Sequence, residues 1–278
     1  MNASAPITPS KAALARLARL VRDRRQRDAT GLAVVEGPRA VDGALASGAT
    51  LEAVFARPEL VSRYAPTGTD TRHGRHPDAR RLGEGYRERI GAVYEVAADT
   101  LDPLADAMNP QGVLAIAQFA DSELSAAVAA ERVVVLEAVR DPGNAGAVVR
   151  SAVAAGFGSV IATEGTTDLW SPKALRGAAG LTFGPAVCRG RPTAEILEAL
   201  ADAGHLRVRA ALEGDTSLGN LPEAPRMTLV VSNEAHGPTA DAVAGTDIAA
   251  AIPMRHPVDS LNVAVAAAVL MYAMQPSS

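Results

Sequence analysis

A chain of 278 residues, 48% of them hydrophobic, has room for one large or two ordinary domains, but at 3% aromatic content its core must be built from Ala, Val and Leu. The single cysteine, Cys188, excludes a disulfide framework and a Cys-cluster metal site; the five His show no i, i+4 pair of the zinc-enzyme type, so no metal is expected. A net charge of −4 argues against a nucleic-acid binder, yet residues 1–120 carry 16 Lys+Arg against 14 Asp+Glu while residues 121–278 carry 11 against 17.

The first eight residues read as a tail, and the first twenty lack the apolar centre of a signal peptide, which predicts a cytoplasmic protein. Leu14, Leu17, Leu20 and Val21 recur at helical spacing and predict one amphipathic helix over residues 10–27. Lys11, Arg16, Arg19, Arg22, Arg24, Arg25 and Arg27 form a basic cluster there, and Arg72, Arg75, Arg80, Arg81, Arg87 and Arg89 form a second. Each is either a solvated face or a phosphate-contacting patch. Residues 31–37 read as a strand ending in Glu36-Gly37, 38–46 as a proline-led helix, and 53–56 as a second strand. Residues 62–91, rich in Gly, Pro and Arg, are long for a loop in a compact domain. A strand at 92–96, a helix near 101–108, and the turn Asn109-Pro110-Gln111-Gly112 into a last strand complete a small α/β unit. The Ala/Ser-rich stretch 121–131 reads as a linker.

Beyond it, strands at 133–136, 159–162, 208–211, 229–231 and 248–252 alternate with helices at 145–155, 173–179, 193–203, 239–244 and 261–274. That alternation predicts a parallel sheet covered on both faces. No G-x-G-x-x-G follows the first of these strands and no GK[ST] occurs, so dinucleotide and P-loop readings lose their main support. The last helix carries no charge from Ser260 onward but falls short of the roughly 20 residues that cross a bilayer. It is a core or dimer helix, with Asp259-Ser260 as its expected N-cap and Asn262 in its first turn.

Four stretches carry the chemistry. In DPGNAGAVVRSAVAAG (141–156), Asn144 and Arg150 are either a cap and a surface cation or parts of a site. Six residues at 100° each leave them about 120° apart around the helix. In DLWSPKALRGAAGLTFGP (168–185), Lys173 and Arg176 stand three apart, as solvated cations or as contacts to phosphate or a neighbouring subunit. The third is LVVSNEAHG (229–237) and the fourth IPMRHPVDSLNVAVA (252–266).

In this order the stretches resemble the motifs of the SpoU/TrmH family of RNA ribose 2′-O-methyltransferases, in the SPOUT superfamily. The first matches motif one along its whole length, and Ser260-Leu261-Asn262 match motif three in full. The chain departs from the pattern at Ser232 and His256, where the family commonly has Gly, at Pro238, where it has Leu, and at Asp259, where it has Glu. The Glu36-Gly37 strand end and Pro110-Gln111-Gly112 resemble the family's substrate-binding domain.

The resemblance implies an α/β fold: an L30e-like RNA substrate-binding domain over 1–120, a linker over 121–131, and a SPOUT domain over 132–278 with a deep trefoil knot. S-adenosylmethionine would lie in loops 211–214, 232–237 and 252–261. The residues implied to hold it are Ala211, Leu212, Ser232, Asn233, Glu234, Gly237, Ile252, Pro253, Met254, Ser260, Leu261, Asn262 and Ala264. Arg150 would activate or orient the ribose hydroxyl, with Asn144, Ser260 and Asn262 positioning the sugar or the turn beside it. Arg16, Arg19, Arg22, Arg24, Arg25, Lys173 and Arg176 would meet RNA, and the enzyme would act as a homodimer on structured RNA, rRNA favoured over tRNA, with no membrane. The alternatives are a non-catalytic RNA-binding or assembly factor that keeps the fold, and a small-molecule methyltransferase.

Overall fold

The computed structural model describes residues 7–65, 84–214, 216–233 and 236–275. The second basic cluster at Arg72–Arg81 and the expected cofactor contact Glu234 lie outside the described residues. In chain order come α1 (Lys11–Arg22), α2 (Arg24–Thr30), β1 (Leu32–Glu36), α3 (Pro38–Ala46), β2 (Leu51–Ala56), α4 (Pro58–Tyr64), α5 (Glu84–Arg87), β3 (Ile90–Glu95), α6 (Ala98–Leu101) and β4 (Val113–Gln118). They are followed by α7 (Leu124–Ala127), β5 (Arg132–Glu137), α8 (Pro142–Ala154), β6 (Ser159–Thr163), α9 (Pro172–Gly177), β7 (Ala186–Arg191) and α10 (Thr193–Asp202). The chain closes with β8 (Leu206–Ala211), β9 (Thr216–Ser217), β10 (Met227–Ser232), α11 (Ala240–Ala244), β11 (Ile248–Ala251) and α12 (Val263–Ala273). They group into two compact units: residues up to Phe119 together with Trp170–Phe183, and Ala120–Leu169 together with Gly184 onward.

The first unit is a four-stranded sheet in the order β1-β4-β2-β3, with β2 and β3 parallel and the other pairs antiparallel. Leu17 and Leu20 of α1 pack on Val34, Phe55, Leu114 and Ile116 of the sheet. The single helix expected over 10–27 is two, broken at Asp23. That residue is extended; its N–H closes α1 on the Arg19 carbonyl at 2.8 Å, and its carboxylate caps α2 by accepting from the Arg25 N–H at 2.8 Å. The helix expected near 101–108 ends by Leu104, in a 3-10 turn containing Pro103, because the N–H groups of Asp106 and Ala107 are turned to the Glu36 carboxylate at 3.2 and 3.1 Å.

Trp170–Phe183 joins this unit, which a boundary at residue 120 does not anticipate. A side chain on Gly180 (φ 77°) would sit 1.9 Å from the Ala40 carbonyl oxygen, and one on Gly43 would sit 2.0 Å from that of Ala179. Only two glycines allow that backbone approach. Trp170 stacks on Phe119 with ring centroids 4.5 Å apart.

The second unit is a seven-stranded, wholly parallel sheet in the order β7-β6-β5-β10-β8-β11-β9. The central strand VVVLE is buried throughout, as a strand covered on both faces must be. Val133 and Val135 pack against Ile196, Leu197 and Leu200 of α10, and Ala127 and Val128 join the same core. Residues 121–131 are therefore part of this unit, with α7 in their middle, and not a free linker. β7 was not expected, because AVCRGR has no strand-like alternation. It forms because Arg189 is paired with Asp121 at 2.6 Å and Asp168 at 3.1 Å while Cys188 and Val187 are buried.

The strand order places the site. The chain lays β5, β6 and β7 toward one edge, then returns to build β8, β10 and β11 on the other side of β5. The reversal falls between β5 and β10, and open parallel sheets leave a crevice outside the carboxyl ends of their strands at such a point.

Candidate active site

The loops after β8, β10 and β11 meet in a cleft of about 280 Å³ at the carboxyl ends of those strands. That is close to the lower end of the range for small-molecule sites, about 300–1,000 Å³. Ala210, Ala211 and Leu212 form one side; Val231, Ser232, Asn233, Gly237 and Pro238 a second; Ile252, Met254, Ser260 and Leu261 a third. Val263, Ala266 and Leu270 of α12, spaced three and four apart on one helix face, close it.

Of the cofactor contacts read from the sequence, Ala211, Leu212, Ser232, Asn233, Gly237, Ile252, Met254, Ser260 and Leu261 line this cleft. Pro253 does not: it is exposed while its neighbours Ile252 and Met254 turn inward, the alternation of an extended segment. Nor do Asn262 and Ala264, which belong to the start of α12. The helix begins two residues later than the Asp259-Ser260 cap would set it, because the Asn262 side chain accepts from the Ala264 N–H at 2.9 Å. The lining residues that sequence reasoning missed are Ala210, Val231, Pro238, Val263, Ala266 and Leu270. Helical spacing from Val263 would have found the last two.

The first turn of α8 is tied to the first turn of α12. Asp141 caps α8 by accepting from the Asn144 N–H at 2.8 Å, and the Asn262 side-chain amide donates to the Asn144 oxygen at 3.0 Å. Two helix N-termini, each with unpaired N–H groups and a partial positive charge, are thereby held side by side. Arg150 sits elsewhere. It is exposed on α8, does not line the cleft, and makes no ion pair or hydrogen bond to any described residue.

The cations differ in exposure and in their partners. Arg19, Arg22 and Arg25 are exposed, as is Lys173. Arg16 is paired with Glu52, and Arg24 with Asp28 at 3.3 Å. Arg176 is held by Glu36 at 2.8 Å and Asp106 at 3.0 Å, so a phosphate at that guanidinium competes with two carboxylates. Arg27 is buried, donating to the Leu20 and Val21 carbonyls at 2.8 and 3.2 Å, and so completes the end of α1 rather than a basic face. His256 is exposed in the loop beside the cleft. Among the described residues no helix is long and apolar enough to cross a membrane, and no group of three His, Cys, Asp or Glu side chains could hold a metal.

Comparison with known proteins agrees with this arrangement. Residues 131–272 match the model of the SpoU rRNA methylase family, and residues 15–115 match that of the MRM3-like substrate binding domain. The 23S rRNA (guanosine(2553)-2′-O)-methyltransferase RlmP of Bacillus subtilis strain 168 is 33% identical over 180 residues, covering 64% of this chain and 71% of the relative. The mitochondrial rRNA methyltransferase 3 of Xenopus tropicalis is 26% identical over 182 residues, covering 63% of this chain and 39% of the relative. Among solved structures, an AdoMet-bound rRNA methyltransferase from Sinorhizobium meliloti shares the fold with a TM-score of 0.77 at 24% identity over 97% of both chains. An RNA 2′-O ribose methyltransferase gives a TM-score of 0.74 at 27% identity, over 97% of this chain and 98% of its own. The chain belongs to the SpoU rRNA methylase family.

Proposed function

We propose that this protein transfers a methyl group from S-adenosylmethionine to a ribose 2′-hydroxyl of structured RNA, with rRNA as the substrate class. The observation that carries the reading is the cleft beside the strand-order reversal, built from the three loops that the family resemblance implies. Its lining suits the cofactor. Ile252, Met254, Leu261 and Leu270 give apolar surface for a flat ring and a thioether stem, while Ser260 and the backbone at Ser232 and Asn233 offer polar groups at a few points. Gly237, at φ 67° with open space where a side chain would stand, leaves backbone free to approach a ligand.

The bound cofactor supplies the electrophilic methyl group. The protein's own work is alignment and handling of the hydroxyl proton. The bridged first turns of α8 and α12 place the Asn144 and Asn262 amides and free N–H groups where a ribose or its phosphate can be held. Arg150 acts better by orienting the hydroxyl through an adjacent phosphate than by removing its proton, because a guanidinium is a poor base near neutral pH.

Arg150 is exposed and does not line its own chain's cleft, and α12 carries exposed Val265 and Tyr272. Both fit a homodimer in which the arginine of one copy serves the site of the other. A knotted C-terminal third is part of the same reading, supported by the convergence of loops 211–214, 232–237 and 252–261 on one cleft. The first unit, through Arg19, Arg22 and Arg25, selects the RNA. Mapping 2′-O-methyl sites in total RNA from a deletion strain tests the function. One rRNA site losing its mark, and regaining it with the intact gene but not with Arg150→Ala, is the expected outcome; an unchanged map contradicts it.

A further inference from the structure

Behind one wall of the cleft lies a carboxylate that pairs with no cation among the described residues. Glu137 ends β5 and is 1% exposed. Parallel pairing sets it directly beside Ser232 at the end of β10. The Ser232 hydroxyl donates to one carboxylate oxygen at 2.5 Å. The other oxygen accepts from the Thr239 hydroxyl and, at 3.3 Å, from the Thr239 N–H. None of the described residues forms a salt bridge with Glu137.

Burying an unpaired carboxylate costs several kcal/mol unless hydrogen bonds offset it, and a fourth valine or leucine would continue the strand without that cost. Where the donors stand explains what the carboxylate does. Ser232 precedes Asn233 and Thr239 follows Gly237 and Pro238, which together form a side of the cleft. The next residue reinforces the hold, since the Ala138 carbonyl accepts from the Asn233 side-chain amide at 3.0 Å. Ser232, Asn233 and Thr239 are thus all held by the end of one strand. Thr239 also caps α11 by accepting from the Ala242 N–H at 3.2 Å, so it is anchored a second time.

We infer that Glu137 is a positioning residue for the cofactor: by holding Ser232 and Thr239 it clamps the backbone on either side of the cleft-lining Asn233, Gly237 and Pro238, and Ser232 is its partner in that clamp. The serine hydroxyl is directed at Glu137, so it serves the wall instead of obstructing the cleft. The inference rests on the proposal that the cleft holds S-adenosylmethionine.

Titration calorimetry with S-adenosylmethionine tests it, using full-length protein and melting curves for each variant. Glu137→Gln, which cannot accept from both hydroxyls, is expected to bind about tenfold more weakly, the effect of losing one hydrogen bond to a charged group. Its steady-state KM for the cofactor rises while that for RNA is unchanged, a split that general loosening of the fold would not produce. Ser232→Ala, which keeps the carboxylate, weakens binding by about threefold to tenfold, and Ser232→Thr, which keeps the hydroxyl, restores it. The Ser232 pair decides the matter if Glu137→Gln does not fold. Wild-type binding with Ser232→Ala and Glu137→Gln both unchanged overturns the clamp alone. A wild-type protein that binds no cofactor overturns the functional reading and the clamp with it.

Discussion

Two glutamates end two buried strands, and their surroundings differ. Glu36 closes β1 and Glu137 closes β5; both are almost fully buried, and both accept several hydrogen bonds. Glu36 has a guanidinium, Arg176, at 2.8 Å, and two backbone N–H groups. Burial still pushes its carboxyl above the usual range, with Arg176 pulling the other way. Glu137 has hydroxyls and an N–H, and no cation among the described residues. The first is an ion pair that fixes a loop and a distant chain segment within one compact unit. The second braces the wall of a cleft. A buried carboxylate does not by itself reveal which; its partners, and what they border, do.

The contrast predicts opposite phenotypes. Arg176→Ala leaves Glu36 buried without its cation and should cost about 2 kcal/mol of stability, discounted for the partial exposure of the arginine. Urea denaturation measures that loss, and S-adenosylmethionine binding should stay within about twofold of wild type, since Arg176 is not in the cleft. An arginine lost without a change in stability would mean the pair only decorates the surface. Glu137→Gln should do the reverse, with weakened binding and a smaller change in melting.

A smaller effect concerns a histidine that titrates out of the fold. His205 is buried between the Thr228 hydroxyl and the Val128 carbonyl, both at 3.0 Å, and burial lowers its proton affinity. The folded protein therefore binds its proton less readily than the unfolded chain does. This contribution is fully present above the unfolded value of about 6.5 and is lost as pH falls below it. Denaturation midpoints between pH 7.5 and 5.5 should decline in the wild type and decline less in His205→Asn. The smallest effect belongs to the exposed Arg16–Glu52 pair, where Arg16→Ala should change stability by about 0.5 kcal/mol or less.

Much of the second unit was legible because most of its strands are short apolar runs, VVVL in β5 above all, separated by helices, and a parallel sheet follows from that alternation. The cleft was legible through loops adjoining those strands. What could not be read was long-range. Nothing local in Gly43 or Gly180 announces that they allow two backbones to touch, so the placement of Trp170–Phe183 stayed hidden. The Asn144–Asn262 hydrogen bond joins residues 118 positions apart. Arg189 turned AVCRGR into a strand by meeting Asp121 and Asp168, a stabilisation that no periodicity encodes. Asp23 broke the first helix by competing for backbone N–H groups, and that signal was present in the sequence but outweighed by the leucine spacing.

The most direct test supplies purified protein with S-adenosylmethionine carrying a labelled methyl group and protein-free rRNA, then digests the RNA to nucleosides. The account predicts label in a single 2′-O-methylnucleoside, reduced at least about a hundredfold by Arg150→Ala, the scale of removing a group that handles the reacting hydroxyl. Label on a base, or full labelling by the Arg150→Ala protein, would contradict it.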